Sequence, residues 1–120
     1  MGKFTLKQGK SGFSFNLTAE NNEIIATSQV YTTKAACLKG IDSVKSNAPV
    51  APVEDQTEAD FQAQANPKYE VYRDRAGEYR FHLKAANGRI IAASEGYADK
   101  EECLNGLGAV KANAPAAEIV

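Results

Sequence analysis

Two cysteines and one histidine are the side chains of this 120-residue chain best suited to nucleophilic, redox or metal chemistry. A thiolate can attack a substrate, and a pair of thiols can exchange with a disulfide. Cys37 and Cys103 do not form a C-x-x-C pair. Both fall on apolar helical stripes, where a cysteine acts as a small buried hydrophobe. They are expected to be reduced and buried, with a redox pair or thiol nucleophile as the competing reading. Met1-Gly2-Lys3-Phe4-Thr5-Leu6 lacks the apolar core of a secretory signal, so a reducing, cytoplasmic location is expected. His82 lies between Phe81 and Leu83 at an outward strand position and is expected to be solvated. Its counterpart Asn16 cannot act as a general base. One histidine and two buried cysteines do not make a zinc site, so no metal and no cofactor are expected. Glu101-Glu102 sits in a first helical turn, where carboxylates offset the helix dipole. There is no G-x-S-x-G elbow or phosphate loop, and the expectation is that the protein is not an enzyme.

What remains is the chemistry of contact. Alternation places Thr5, Lys7, Ser14, Asn16 and Thr18 on the outward side of one group of strands. Glu70, Tyr72, Arg80, His82 and Lys84 take that side in another. The candidate ligand-binding residues are Arg80, His82, Lys84, Tyr72 and Asn16. Basic groups beside an aromatic ring suit a single nucleic-acid strand, whose bases stack and whose phosphates pair. A solvated antiparallel face, however, needs no ligand. The chain has 14 Lys and Arg against 15 Asp and Glu, and no row of outward aromatics. Both features argue against a dedicated nucleic-acid binder. The composition, 43% hydrophobic and 24% charged, is that of a soluble globular protein, and no run approaches a membrane span. The best-supported reading is a non-catalytic binding or interaction module that uses the open sheet face or a sheet edge. The alternatives are single-stranded nucleic-acid contact through Arg80, His82 and Lys84, and a thiol-dependent enzyme. The partner itself is unknown.

The elements that carry these residues occur twice. At an offset of 66, residues 13–49 match 79–115 with 18 identities in 37 positions, including Ile24-Ile25-Ala26 with Ile90-Ile91-Ala92. Upstream the offset is 65, with one residue missing just after Gly12. Period-2 patterns in Phe4-Thr5-Leu6, Phe13–Leu17 and Tyr79–Leu83 predict half-buried strands, with Phe15 and Phe81 inward. Gly9–Gly12 and Asp74–Gly77 are expected hairpin turns, as are Asn21-Asn22 and Asn87-Gly88. Cys37, Ile41, Val44 and Ala48 then recur at helical spacing, as do Cys103, Leu107, Val110 and Ala114. Thr33 and Asp99 are expected N-caps. Gly40 and Gly106 in mid-helix point to close approach of helix to sheet.

A single copy of about fifty residues is marginal as an independent fold. The expected fold is therefore α+β: two tandem β3-α-β repeats in one shared antiparallel sheet, with both helices on one face. The short tails Ala51–Glu54 and Ala117–Val120 are expected to add strands, swapped between the repeats. The expected boundaries are 1–57 for the first repeat, 58–67 for an acidic linker and 68–120 for the second, all in a single structural domain. Residues 1–49 carry net charge +3, 50–67 carry −4 and 68–120 are neutral. The middle stretch reads as a solvated connector, with a helical turn over Glu58–Gln64 and Phe61 anchored on the core.

Several segments together resemble the YegP-like family of small bacterial proteins. They are Phe15–Ala19, Phe81–Gly88, Ser28–Lys34, Ser94–Tyr97 and the helix ends Gly-Ile/Leu-x-x-Val-Lys-x-Asn-Ala-Pro. The resemblance covers nearly all of the chain outside the linker. It implies two β3-α-β units sharing one sheet with swapped last strands, and single-copy relatives that dimerise; the duplication itself predicts a monomer here, because the second copy occupies the place of a partner. It implies no activity and no catalytic residues, because the family's function is unknown.

Overall fold

The computed structural model describes residues 2–120; Met1, the first residue of the expected repeat-one span, lies outside the described residues. The first repeat forms β1 (Lys3–Gly9), β2 (Gly12–Thr18), β3 (Ile24–Thr27), α1 (Lys34–Asn47) and β4 (Val53–Asp55). The second forms β5 (Lys68–Arg73), β6 (Tyr79–Lys84), β7 (Ile90–Ala93), α2 (Lys100–Asn113) and β8 (Glu118–Ile119). A short 3-10 turn, Ala114–Ala116, precedes β8.

The turns show why each meander folds locally. Gly9 pairs with Gly12, leaving Lys10-Ser11 as a two-residue hairpin loop, so the missing residue does not disturb that register. At the next turn Asn21 and Asn87 accept hydrogen bonds from the backbone N–H of Glu23 and Arg89, at 3.1 and 2.9 Å. Asn22 and Gly88 then take the left-handed backbone, at φ 67° and 82°. Asn87 itself stays at negative φ, so the Asn-Gly pair does not form the turn with two positive φ values that the dipeptide suggests. The asparagine supplies an acceptor and only the following residue reverses the chain.

The helices start where the caps predict. Thr33 Oγ1 accepts from Ala36 N at 3.1 Å, and Asp99 Oδ1 accepts from Glu102 N at 2.8 Å. Near the C-termini, Asn47 and Asn113 donate to the carbonyls of Ser43 and Ala109, each at 2.8 Å. The mid-helix glycines sit at close approaches, as expected. A Cβ on Gly40 or Gly106 meets first the hydroxyl and ring of Tyr31 or Tyr97, from the segment joining β3 or β7 to its helix. Tyr31 and Tyr97 are bridged to Phe13 of β2 and Tyr79 of β6, and at Gly106 the Phe81 ring of β6 comes next.

The eight strands form one sheet in the order β4-β5-β6-β7-β3-β2-β1-β8. The two meanders meet at β3 and β7, where Thr27 faces Ala93, a pair related by the repeat offset. The sheet is mixed, which corrects the antiparallel expectation. β4 runs parallel to β5, and β8 runs parallel to β1. Each tail leaves its own helix and adds to the outer strand of the other repeat, so the outer pairs are parallel crossovers rather than hairpins. Lys45 donates to the Ala117 carbonyl and Lys111 to the Ala51 carbonyl, each at 3.1 Å, and this fastens each helix to the tail of the other repeat. One buried cluster joins Phe4, Phe15, Leu17, Tyr69, Val71, Phe81 and Leu83 of the strands to Cys37, Ile41, Val44, Cys103, Leu107 and Val110 of the helices.

Candidate functional site

The cross-strand pairing aligns one row of side chains across the sheet. Thr5 faces Asn16, and Asn16 faces Thr27. Thr27 faces Ala93, Ala93 faces His82, His82 faces Glu70 and Glu70 faces Glu54. Paired residues project to the same side of a sheet, so these form one polar row. The neighbouring rows, Phe4-Leu17-Ala26 and Tyr69-Leu83-Ala92, are buried.

The two halves of the row differ. In repeat two, Glu70 is 7% exposed and sits at the centre of a charge cluster. His82 Nε2 lies 2.5 Å and Lys84 Nζ 3.1 Å from Glu70 Oε1, and Lys68 Nζ lies 3.2 Å from Oε2. Burial pushes the Glu70 carboxyl upward, but hydrogen bonds from His82, Lys84 and Lys68 outweigh this and bring it below the usual carboxylate value. Lys68 also binds Glu54 Oε1 at 2.8 Å. Glu54 accepts further from Gln56 Nε2 at 2.6 Å and from the Gln64 backbone N–H at 2.7 Å. Hydrogen bonds from Lys68, Gln56 and Gln64 hold Glu54 down at about 2.

These contacts place every candidate. His82 is not solvated; its side chain is 14% exposed, tied to Glu70, with its ring 5.1 Å from that of Tyr72. Lys84 is bound to the same carboxylate. Arg80 pairs with Asp74 at 2.7 Å, in the turn between β5 and β6. Arg80, His82 and Lys84 therefore each meet a carboxylate of their own repeat. Asn16 lies in the other half of the row, facing Thr5 and Thr27, apart from that cluster. Cys37 and Cys103 are free and buried, and burial pushes both thiols up, Cys103 to about 11. No group of His, Cys, Asp and Glu among the described residues is arranged to hold a metal ion.

The linker also departs from expectation. No helix forms over 58–64, and Phe61 is 43% exposed rather than anchored. The segment is held instead through charge, with Gln64 on Glu54 and with Lys100 bound to Asp55 and Glu58. Glu54 was the residue hardest to find in sequence. Its partners come from three places, Gln56 of its own repeat, Gln64 of the linker and Lys68 of the other repeat, and no local pattern joins them.

A mixed eight-stranded sheet, two helices and a duplicated β3-α-β unit define a tandem-repeat α+β protein whose polar sheet face carries ion pairs. Residues 10–55 and 74–120 both match the family described as a domain of unknown function, DUF1508, and the chain belongs to that family. It is 39% identical over 107 residues to the UPF0339 protein YegP of Escherichia coli O157:H7, covering 89% of this chain and 84% of that one. Its fold is similar to the solution NMR structure of E. coli yegP, a protein of unknown function. The TM-score is 0.80 at 36% identity, over 98% of this chain and 90% of that one. A UPF0339 protein of Methanosarcina acetivorans is 55% identical over 53 residues, which is 44% of this chain but 91% of the relative. That relative has the length of a single repeat.

Proposed function

We propose that the protein is a non-catalytic binding module that meets a partner of net negative charge through the repeat-one half of its polar sheet face. The observation that carries this reading is the contrast within the row. In repeat two Arg80, His82 and Lys84 each bind a carboxylate of the same repeat. In repeat one, among the described residues, the side chains of Thr5, Ser14, Asn16 and Thr27 have no hydrogen-bond partner, and Lys7 has no ion pair. Unused donors and acceptors on a sheet face are what a docking surface offers. Lys3 and Lys7, which share the strand phase of Thr5 on β1, set the sign of the partner. His82 is separated from this surface by Ala93, Tyr72 lies behind the His82 ring, and Asn16 stands between Thr5 and Thr27.

The reading takes the repeats 1–57 and 68–120, joined by 58–67, as one domain, with both helices on the opposite face. The single buried cluster shared by both helices and the apolar strand phase supports that arrangement. A monomer is the working form, since the second repeat fills the place of a partner copy. Two free thiols suit a reducing compartment such as the cytoplasm. The test is an NMR titration of the 15N-labelled full chain at low salt with a poly-glutamate peptide and, separately, a single-stranded oligonucleotide. The peptide is expected to shift the amides of Thr5, Asn16 and Thr27, and Lys7→Glu to weaken the effect. Oligonucleotide shifts centred on Arg80, His82 and Lys84 would favour the nucleic-acid alternative instead. Shifts in neither set would overturn both.

A further inference from the structure

Tyr31 and Tyr97 each form a wall of a cavity whose opposite wall comes from the other repeat. The Tyr31 cavity, about 310 Å³, lies between Gln29, Lys39 and Gly40 of repeat one and Asn87, Arg89 and Ile91 of repeat two. The Tyr97 cavity, about 270 Å³, has Asn21, Glu23 and Ile25 of repeat one facing Glu102, Asn105 and Gly106 of repeat two. The two are the same construction related by the offset of 66. The positions that set the shape carry identical residues: Asn21 and Asn87, Ile25 and Ile91, Tyr31 and Tyr97, Gly40 and Gly106.

The positions that set the charge have diverged. Arg89 stands where the other cavity has Glu23, and Lys39 stands where it has Asn105. Ala36 stands where the other has Glu102. Neither Lys39 nor Arg89 forms an ion pair among the described residues, so two uncompensated cations from different repeats line one cavity. The phenols register this contrast. Burial raises both, but Gln29 and Arg89 draw Tyr31 back down, whereas Glu95, Glu23 and Glu102 push Tyr97 further up. The Gly40 position keeps the ring close to the helix, and Ile91 and Ala85 are apolar members of the lining. A cavity at the small end of the ligand range, with an aromatic wall and convergent polar groups, has the make-up of a small-molecule site.

We propose that the Tyr31 cavity binds a small organic anion, with its carboxylate or phosphate on Lys39 and Arg89 and its apolar body against Tyr31 and Ile91, and that the acidic Tyr97 cavity rejects it. Two oxygens of a carboxylate or a phosphate suit the arginine fork, and the lysine adds a point charge. Because the site is made by both repeats, it exists only when the shared sheet is assembled. A preference for carboxylate or for phosphate is decided by which probe binds more tightly.

The experiment is NMR titration of the 15N-labelled full chain with benzoate, phenyl phosphate and, as a cation of the same body, benzylammonium. Benzoate or phenyl phosphate is expected to give saturable shifts at the amides of Gly40, Asn87, Arg89 and Ile91, and none at Asn21, Glu23 and Gly106. Lys39 and Arg89 are exposed, so Lys39→Gln and Arg89→Gln leave the rest of the spectrum in place. Each is expected to weaken binding about tenfold or more. Glu23→Arg with Asn105→Lys, which copies the charges of the basic cavity, is expected to give the Tyr97 side its own anion shifts. The proposal is overturned by the absence of saturable shifts with either anion at millimolar concentration. Equal binding of benzylammonium, or affinity unchanged in both glutamine variants, overturns it as well.

Discussion

Gly40 and Gly106 occupy positions where alanine is the better helix former by about 1 kcal/mol. They are glycine because the Tyr31 and Tyr97 hydroxyls lie where a Cβ would go. Those rings are themselves fixed: Tyr31 exchanges backbone hydrogen bonds with Phe13 at 2.6 and 2.7 Å, and its ring stacks on that of Phe15. Gly40→Ala should therefore be destabilising by about 1–3 kcal/mol, the cost of overpacking, despite its better propensity. In a Tyr31→Phe background the cost should shrink, because the closest atom is gone. Urea melts of the four proteins in this cycle check it; an equal cost in both backgrounds would show that the ring is not the obstacle. The cysteines near these glycines are free and buried. Burial that suits a small apolar side chain also disfavours the thiolate.

At the scale of elements, the connection from β4 to β5 is set by charge. β4 is three residues long, and its middle residue Glu54 is 3% exposed on the polar side of the sheet. Lys68, Gln56 and the Gln64 N–H satisfy it. Its carboxyl is held at about 2 in the folded protein, below the usual 4.5. A group with a depressed folded pKa contributes stability that is fully present above the unfolded value and is lost as pH falls through the folded one. Stability should therefore fall between about pH 4.5 and pH 2. A pH series of urea midpoints is expected to show a shallower acid limb for Glu54→Gln than for the parent protein. Parallel limbs would mean that Glu54 does not carry the effect. Glu70 and Asp74, in turn, are why the basic stripe of repeat two is not a free cationic surface.

For the whole molecule, the consequence of the exchanged tails is mutual dependence. β4 has its ladder partner only in repeat two, and β8 only in repeat one. Lys45 and Lys111 reach across in the same exchanged sense. Fragments 1–57 and 66–120 each lack the strand that the other supplies and half of the common core. Each is expected to be unfolded or to associate into dimers that imitate the missing repeat. The intact chain is expected to be monomeric and to unfold in one cooperative transition. NMR of each fragment at low concentration checks this. A dispersed monomer spectrum that overlays the full-length one would show two independent units. The similarity to a relative of one-repeat length makes that relative a natural comparison for the dimer.

How much could be read before folding follows from the range of each interaction. Strand phase, helix stripes, caps and turns are local, and Phe15, Phe81, Thr33 and Asp99 stood where alternation and helical spacing put them. The duplication was plain because whole segments recur, and with it the swap of tails could be anticipated. The parallel sense of the outer pairs was not legible, because a strand of two or three residues looks the same whichever way it runs. Nor were the environments of His82 and Glu54. Outward alternation says only that a side chain leaves the core side of a sheet, whereas its solvation depends on what else arrives there. For His82 that is Glu70 on the next strand; for Glu54 it is Lys68 and Gln64, ten or more residues away. The sequence by itself determined the repeat, its elements and their apolar faces, since these depend on neighbours a few residues apart. Tertiary structure alone decided which charges are free, because a cation's partner is chosen by strand order, and strand order brings together residues that the chain keeps apart.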